Sequence, residues 1–227
     1  MKKKTFYTEI AYFVGILFLS VGTAFMERSN FGLSMVVAPA YILHVKISEF
    51  LPFFTFGTAG YCLQALLILS IIAITRKFKI TYLFSFMTAV LNGYALDGAI
   101  FLLGLVDANG IFFRIACYVI GTLIASVGIS LLLRPYVSPE AYDVFVKEVS
   151  AHYGKSFGKF KTAYDLASLV VSVALSFIFF GFGTFVGIGW GTLVCAFLNG
   201  FLISTMTKLC NKLFVFRDAF KFREKLE

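Results

Sequence analysis

RPYVSPEAYDVFVKEVSAHYGKSFGKFKTAYD, residues 134–165, is the longest polar run in the chain, and the 42 residues that follow it, 166–207, contain no Asp, Glu, Lys or Arg. The polar run holds two of the four prolines and five of the twenty basic residues. The charge-free run is twice as long as a membrane-crossing helix, which needs about 20 apolar residues for a hydrocarbon core. It must therefore turn once, and Gly181, Gly183, Gly187 and Gly189 mark the place. A polar connector followed by two spans is thus fixed for this part of the chain. A more apolar version of the same connector lies at 27–52.

Hydrophobic residues make up 59% of the 227 and charged residues 14%, against roughly 45–50% and 25% in soluble domains. The chain reads as one all-α integral membrane domain, 1–227, with no room for a soluble one. Six segments are long and apolar enough to span: 10–26, 53–75, 80–103, 111–133, 162–180 and 185–206. The N-terminal MKKKTFYTEIAYFVGILFLS has basic and apolar regions like a signal peptide but no small-x-small cleavage site, so it reads as an uncleaved first span. The four cysteines are isolated, show no metal-ligand or CxxC spacing, and predict neither disulfide nor metal.

The basic residues orient the six spans. With the N-terminus inside, the inner regions hold Lys2, Lys3, Lys4, Arg76, Lys77, Lys79, Arg134, Lys147, Lys155, Lys159 and Lys161. They also hold the tail residues Lys208, Lys212, Arg217, Lys221, Arg223 and Lys225. Only Arg28, Lys46 and Arg114 fall outside. This bias predicts both termini in the cytoplasm. It also accounts for the net charge of +8 without nucleic acid. The basic tail 208–227 reads as a stop signal and a contact for anionic lipid headgroups.

The 134–165 connector is then cytoplasmic. Ser138 is the expected N-cap, with Pro139 at the first helical position. Ala141, Val144, Phe145, Val149 and His152 follow at helical spacing, and Gly154 ends the helix. This predicts a short amphipathic helix on or dipping into the inner interface. Pro39 to His44 is its candidate counterpart outside.

The halves resemble each other. Val21-Gly22 through Arg28 matches Val127-Gly128 through Arg134, offset by 106. Thr55-Phe56-Gly57 matches Ser156-Phe157-Gly158, offset by 101, and 89–94 (AVLNGY) matches 196–201 (AFLNGF), offset by 107. Three spans per half means the second copy enters the membrane upside down. The expected architecture is therefore two inverted three-helix repeats, about 9–105 and 111–210, each with a short connector helix. Inverted repeats are the architecture of many secondary transporters.

Ser138-Pro139-Glu140-Ala141-Tyr142-Asp143-Val144-Phe145, Gly154-Lys155-Ser156-Phe157-Gly158, Lys161, Asp165 and Gly187-Ile188-Gly189-Trp190-Gly191-Thr192 together resemble the YczE/YitT-like bacterial membrane proteins. The first half departs from the family's pattern: Phe31-Gly32-Leu33-Ser34-Met35-Val36-Val37 lacks its Pro and Asp. The resemblance implies a multi-pass protein of the bacterial cytoplasmic (inner) membrane.

Ionisable and amide groups at membrane depth are the candidate site residues. Asp97 binds a proton or cation, pairs with Arg114, or caps a helix. Asn92 and Asn199 stand at matched positions, each before a glycine, and serve either helix packing or a central polar site. With Gln64, these form the candidate substrate-binding set. Arg28, Arg134, Glu140, Asp143, Lys161 and Asp165 are the candidate polar network or gate. No HExxH, GxSxG or P-loop is present, and His44 and His152 lack partners at triad or metal spacing. The chain is therefore read as neither an enzyme nor a cofactor or metal binder. The expected function is a small transporter for a solute or ion. The alternative is a non-transporting accessory or regulatory subunit that docks a protein partner through 134–165. A homo-oligomer fits both.

Overall fold

The computed structural model describes residues 4–105, 110–133 and 140–218. Among them are eight helices: α1 Thr8–Ser29, α2 Ala38–Ile47, α3 Phe56–Thr75, α4 Ile80–Gly104, α5 Ile111–Leu132, α6 Ala141–His152, α7 Phe157–Phe180 and α8 Trp190–Leu213. All except α2 and α6 are long and apolar enough to cross a membrane. These six correspond to the expected spans. The first extends into both flanks, the fifth starts earlier, at Phe157, and the sixth is shifted, from Trp190 to Leu213, because the glycine turn takes up 181–189. The described residues also include two strands that an all-α reading does not contain. β1 Lys4–Tyr7 pairs in parallel with β2 Phe214–Arg217, which ties the chain's two ends together. Alternating aromatic residues support this ribbon: the Phe6 ring lies 5.3 Å from that of Phe214 and 5.9 Å from that of Phe216.

At the centre α1 and α5 cross antiparallel. A Cβ added to Gly22 would lie 2.5 Å from the Ala125 nitrogen and 2.7 Å from the Gly121 oxygen. One added to Gly128 would lie 2.5 Å from the Leu19 nitrogen and 2.8 Å from the Gly15 oxygen. Only hydrogen fits there, so the two backbones touch, the usual way for helices to gain packing in lipid. Around this centre α4 packs on α1 and α8 on α5. The short helices cross over: α2 packs on α7 and α6 on α3.

The position of α6 corrects the interfacial helix expected from its amphipathic pattern. Ala141, Tyr142, Val144, Val146 and Val149 are buried in protein. Ala141 and Val144 pack with Ile68, Ile71 and Tyr82 from α3 and α4. Two polar ties hold the helix there. Gln64 Oε1 accepts the Ala141 N–H at 2.9 Å, capping the helix from α3. At the other end, Glu148 receives Lys79 Nζ at 2.7 Å. The helix begins at Ala141 with Glu140 at the cap position, two residues later than the Ser138–Pro139 start. Ser138, Pro139 and Arg134 lie outside the described residues. Gly154, at φ +61°, closes the far end as expected.

Candidate functional site

Two helix pairs at matched places in the two halves, α3/α4 and α7/α8, differ in how they meet. In the first, Gly57 and Gly93 face each other. A Cβ on Gly57 would run into the Gly93 carbonyl, and one on Gly93 would lie 2.9 Å from the Gly57 oxygen. Asp97, one turn beyond Gly93, accepts the Gly57 N–H at 2.8 Å and the Thr55 hydroxyl at 2.6 Å. Asp97 thus caps the start of α3 from α4 and locks the pair. Arg114 does not reach Asp97. Its guanidinium donates to the Ser29 oxygen at 2.7 Å and the Asn30 oxygen at 3.1 Å.

Deeper along the same seam the amides meet a carboxylate. Asn92 Nδ2 donates to Glu140 Oε1 at 2.8 Å, and Gln64 Nε2 lies 3.5 Å from the same oxygen. Ser20 on α1 donates to Asn92 Oδ1 at 2.7 Å and so orients the amide. Gln64 and Asn92 both sit mid-helix, so the start of α6 reaches the middle of the bundle. Among the described residues no Lys or Arg is ion-paired with Glu140. Burial pushes its carboxyl up to about 7, the Asp143 charge pushes the same way, and the Gln64 and Asn92 hydrogen bonds oppose both. Only a small cavity of about 40 Å³ remains in this seam.

The α7/α8 pair is open. No close packing runs between the two helices among the described residues: α7 rests on α2 and α6, and α8 rests on α5. Gly158 and Gly200, which match Gly57 and Gly93 at offsets of 101 and 107, have no atom of another element among the described residues within 4 Å of an added Cβ. The opening holds a cavity of about 480 Å³. Apolar groups such as Val37, Ile129 and Leu132 line much of it, and Glu140, Asp143, Lys161, Asp165 and Asn199 supply its polar wall. Lys161 Nζ lies 3.2 Å from Asp143 and 3.9 Å from Asp165. Asp165 Oδ1 is buried and has no hydrogen-bond partner among the described residues. The helices are joined at the far end, where Ser176 Oγ donates to the Thr184 oxygen at 2.6 Å and accepts the Val186 N–H at 2.9 Å. Gly181, Gly183 and Gly187 adopt positive φ in this turn.

The residues singled out from the sequence therefore fall into three groups. Asn92, Gln64 and Glu140 meet in the closed seam, with Asp97 at its rim. Asn199, Asp143, Lys161 and Asp165 line the open cavity, whose wall Glu140 also reaches. Arg28 is in the last turn of α1, away from both, and Arg134 is outside the described residues. Sequence reasoning missed Ser20 and read Thr55, Gly57 and Gly158 only as markers of the repeat, while Gly93 and Gly200 were also read as sites of close helix approach.

The fold is a bundle of six helices long and apolar enough to cross a membrane, with two short helices folded into its interior and an internal cavity. Residues 6–208 match a family of unknown function (DUF6198), and the chain belongs to that family. No curated protein and no solved structure matches the chain.

Proposed function

We propose that this protein is a small-solute transporter of the bacterial cytoplasmic membrane, built from two inverted three-helix repeats. The carrying observation is the pair of matched seams, one closed at Gly57–Gly93 and one open at Gly158–Gly200. Alternating access requires two equivalent gates of which one is shut while the other is open. The repeat reading draws further support from the centre. The Gly22–Gly121 contact turns into the Gly128–Gly15 contact when 106 is added to the first member and subtracted from the second. The crossed packing of α2 on α7 and α6 on α3 has the same symmetry. With the termini cytoplasmic, as the basic residues argue, the open cavity faces inward and the Asp97 lock closes the outer gate. The resemblance to YczE/YitT-like proteins belongs to the same reading.

The alternative, an accessory subunit docking through the long charged connector, would have to use the polar face of α6, because its apolar face is buried inside the bundle. Proteoliposomes loaded with a broad panel of radiolabelled metabolites and ions test the proposal. Counterflow of at least one solute, lost in Asn199→Ala, is the expected result. Absence of both flux and binding across the panel contradicts it.

A further inference from the structure

The closed seam shows how a polar bridge holds two helices of one repeat together, and the open seam lacks the bridge. Gln64 on α3 matches Asp165 on α7 at the offset of 101, and Asn92 on α4 matches Asn199 on α8 at 107. Ser20, which orients Asn92, matches Ser126 at 106. In the first repeat the space between Gln64 and Asn92 is filled by the chain itself, through the Glu140 carboxylate. In the second, the corresponding space between Asp165 and Asn199 is cavity. Its groups are not engaged as their counterparts are: among the described residues Asp165 Oδ1 has no hydrogen-bond partner, and Ser126 Oγ donates back to its own helix at Thr122 O, 2.7 Å.

We propose that the solute binds between Asp165 and Asn199, in the place Glu140 occupies in the other half, and that this draws α7 onto α8 until Gly158 meets Gly200. The chemistry of the two side chains sets the class of solute. Where the first repeat has the amide of Gln64, the second has a carboxylate, which accepts hydrogen bonds and gives none. The group facing it must donate, and a protonated amine does so with charge assistance. Lys161 does not take that role fully, because it lies closer to Asp143 than to Asp165. Asn199 offers both donor and acceptor to the rest of the polar head. The apolar lining and the volume suit a small amine with a short body. The far end of α7 is tied to the 181–189 turn, so closure swings its Phe157 end toward α8.

This inference rests on the inverted-repeat transporter reading, yet it can fail separately. The test places Ser156→Cys and Ser204→Cys, the matches of the Thr55–Asp97 contact in the closed seam, together in full-length protein whose four native cysteines are replaced. Disulfide formation is followed in membranes with butylammonium chloride or glycine as amine probes and sodium butyrate as the amine-free control. The expected result is a cross-link that forms faster with an amine than with butyrate, and an acceleration lost on adding Asp165→Asn. In parallel, the native-cysteine protein is melted with the same probes, because replacing buried cysteines can impair folding. An amine-dependent rise in melting temperature, absent in Asp165→Asn, is expected. No cross-link, equal rates with amine and butyrate, or an amine effect that survives Asp165→Asn overturns the proposal. Flux without amine-dependent closure would leave transport standing and remove this site. Closure without flux would do the reverse.

Discussion

The α3/α4 and α7/α8 seams start from nearly the same sequence signals and end in different states. Both pairs carry a glycine early in the outgoing helix, a glycine after an asparagine in the returning one, and a hydroxyl at the first helix's N-cap, Thr55 or Ser156. Two of the differences between them change the polar groups that face the seam. The position after Gly93 that locks the first seam is Asp97, whereas its match is Ser204. The mid-helix amide Gln64 is matched by the acid Asp165. The first seam has its amides bonded to Ser20 and Glu140 and is packed shut; the second, among the described residues, leaves a carboxylate oxygen without a hydrogen bond beside a cavity.

The largest expected effect lies in the Glu140 bridge. Its carboxyl holds a proton more tightly in the folded chain, at about 7, than its ordinary value of 4.5. Folding therefore takes up a proton between those values, and stability is highest below the window and falls as pH rises through it. The loss amounts to as much as about 3 kcal/mol. Melting of the detergent-solubilised protein should show this slope, and Glu140→Gln should flatten it. A slope of the opposite sign would break the account of the bridge. Next come the glycines. Gly57→Ala should destabilise by about 1–3 kcal/mol, because the methyl group meets the Gly93 carbonyl. Gly200→Ala should be neutral or stabilise by up to about 1 kcal/mol through helix propensity. Equal costs on the two sides would mean that the seams are packed alike.

A smaller effect separates the caps. Asp97→Ala removes a cap shared by the Gly57 N–H and Thr55 and should cost about 1–2 kcal/mol in the same melts. Ser204→Ala should cost nothing measurable in this state. Least of all, Lys79→Ala should lower stability by under about 1 kcal/mol, since the Lys79 side chain in its pair with Glu148 is 47% exposed.

Much of this arrangement was legible in the residues. The charge-free run and its glycine turn gave the last two spans, and the matched Asn-Gly pairs marked positions that prove to be mid-helix on both seams. What could not be read was depth. Amphipathicity places α6 against an apolar surface, but protein and lipid are equally apolar to Val144 and Val149. The deciding contact is Gln64 capping Ala141, which joins residues 77 apart in sequence. Asp97 was legible as a helix cap or an ion site. Its choice between them depends on the height of α3 beside α4, which no local pattern encodes. The difference between the seams was equally hidden, because glycine permits close approach without requiring it.

The most direct test of that difference is labelling from the side that carries the termini. In a cysteine-free background, Asn199→Cys and Asn92→Cys are exposed separately to a membrane-impermeant maleimide in inside-out vesicles. The account predicts rapid labelling of the Asn199→Cys protein through the open cavity and protection of the Asn92→Cys protein behind the Glu140 bridge. Equal labelling of both, or labelling of the Asn92→Cys protein alone, would contradict it.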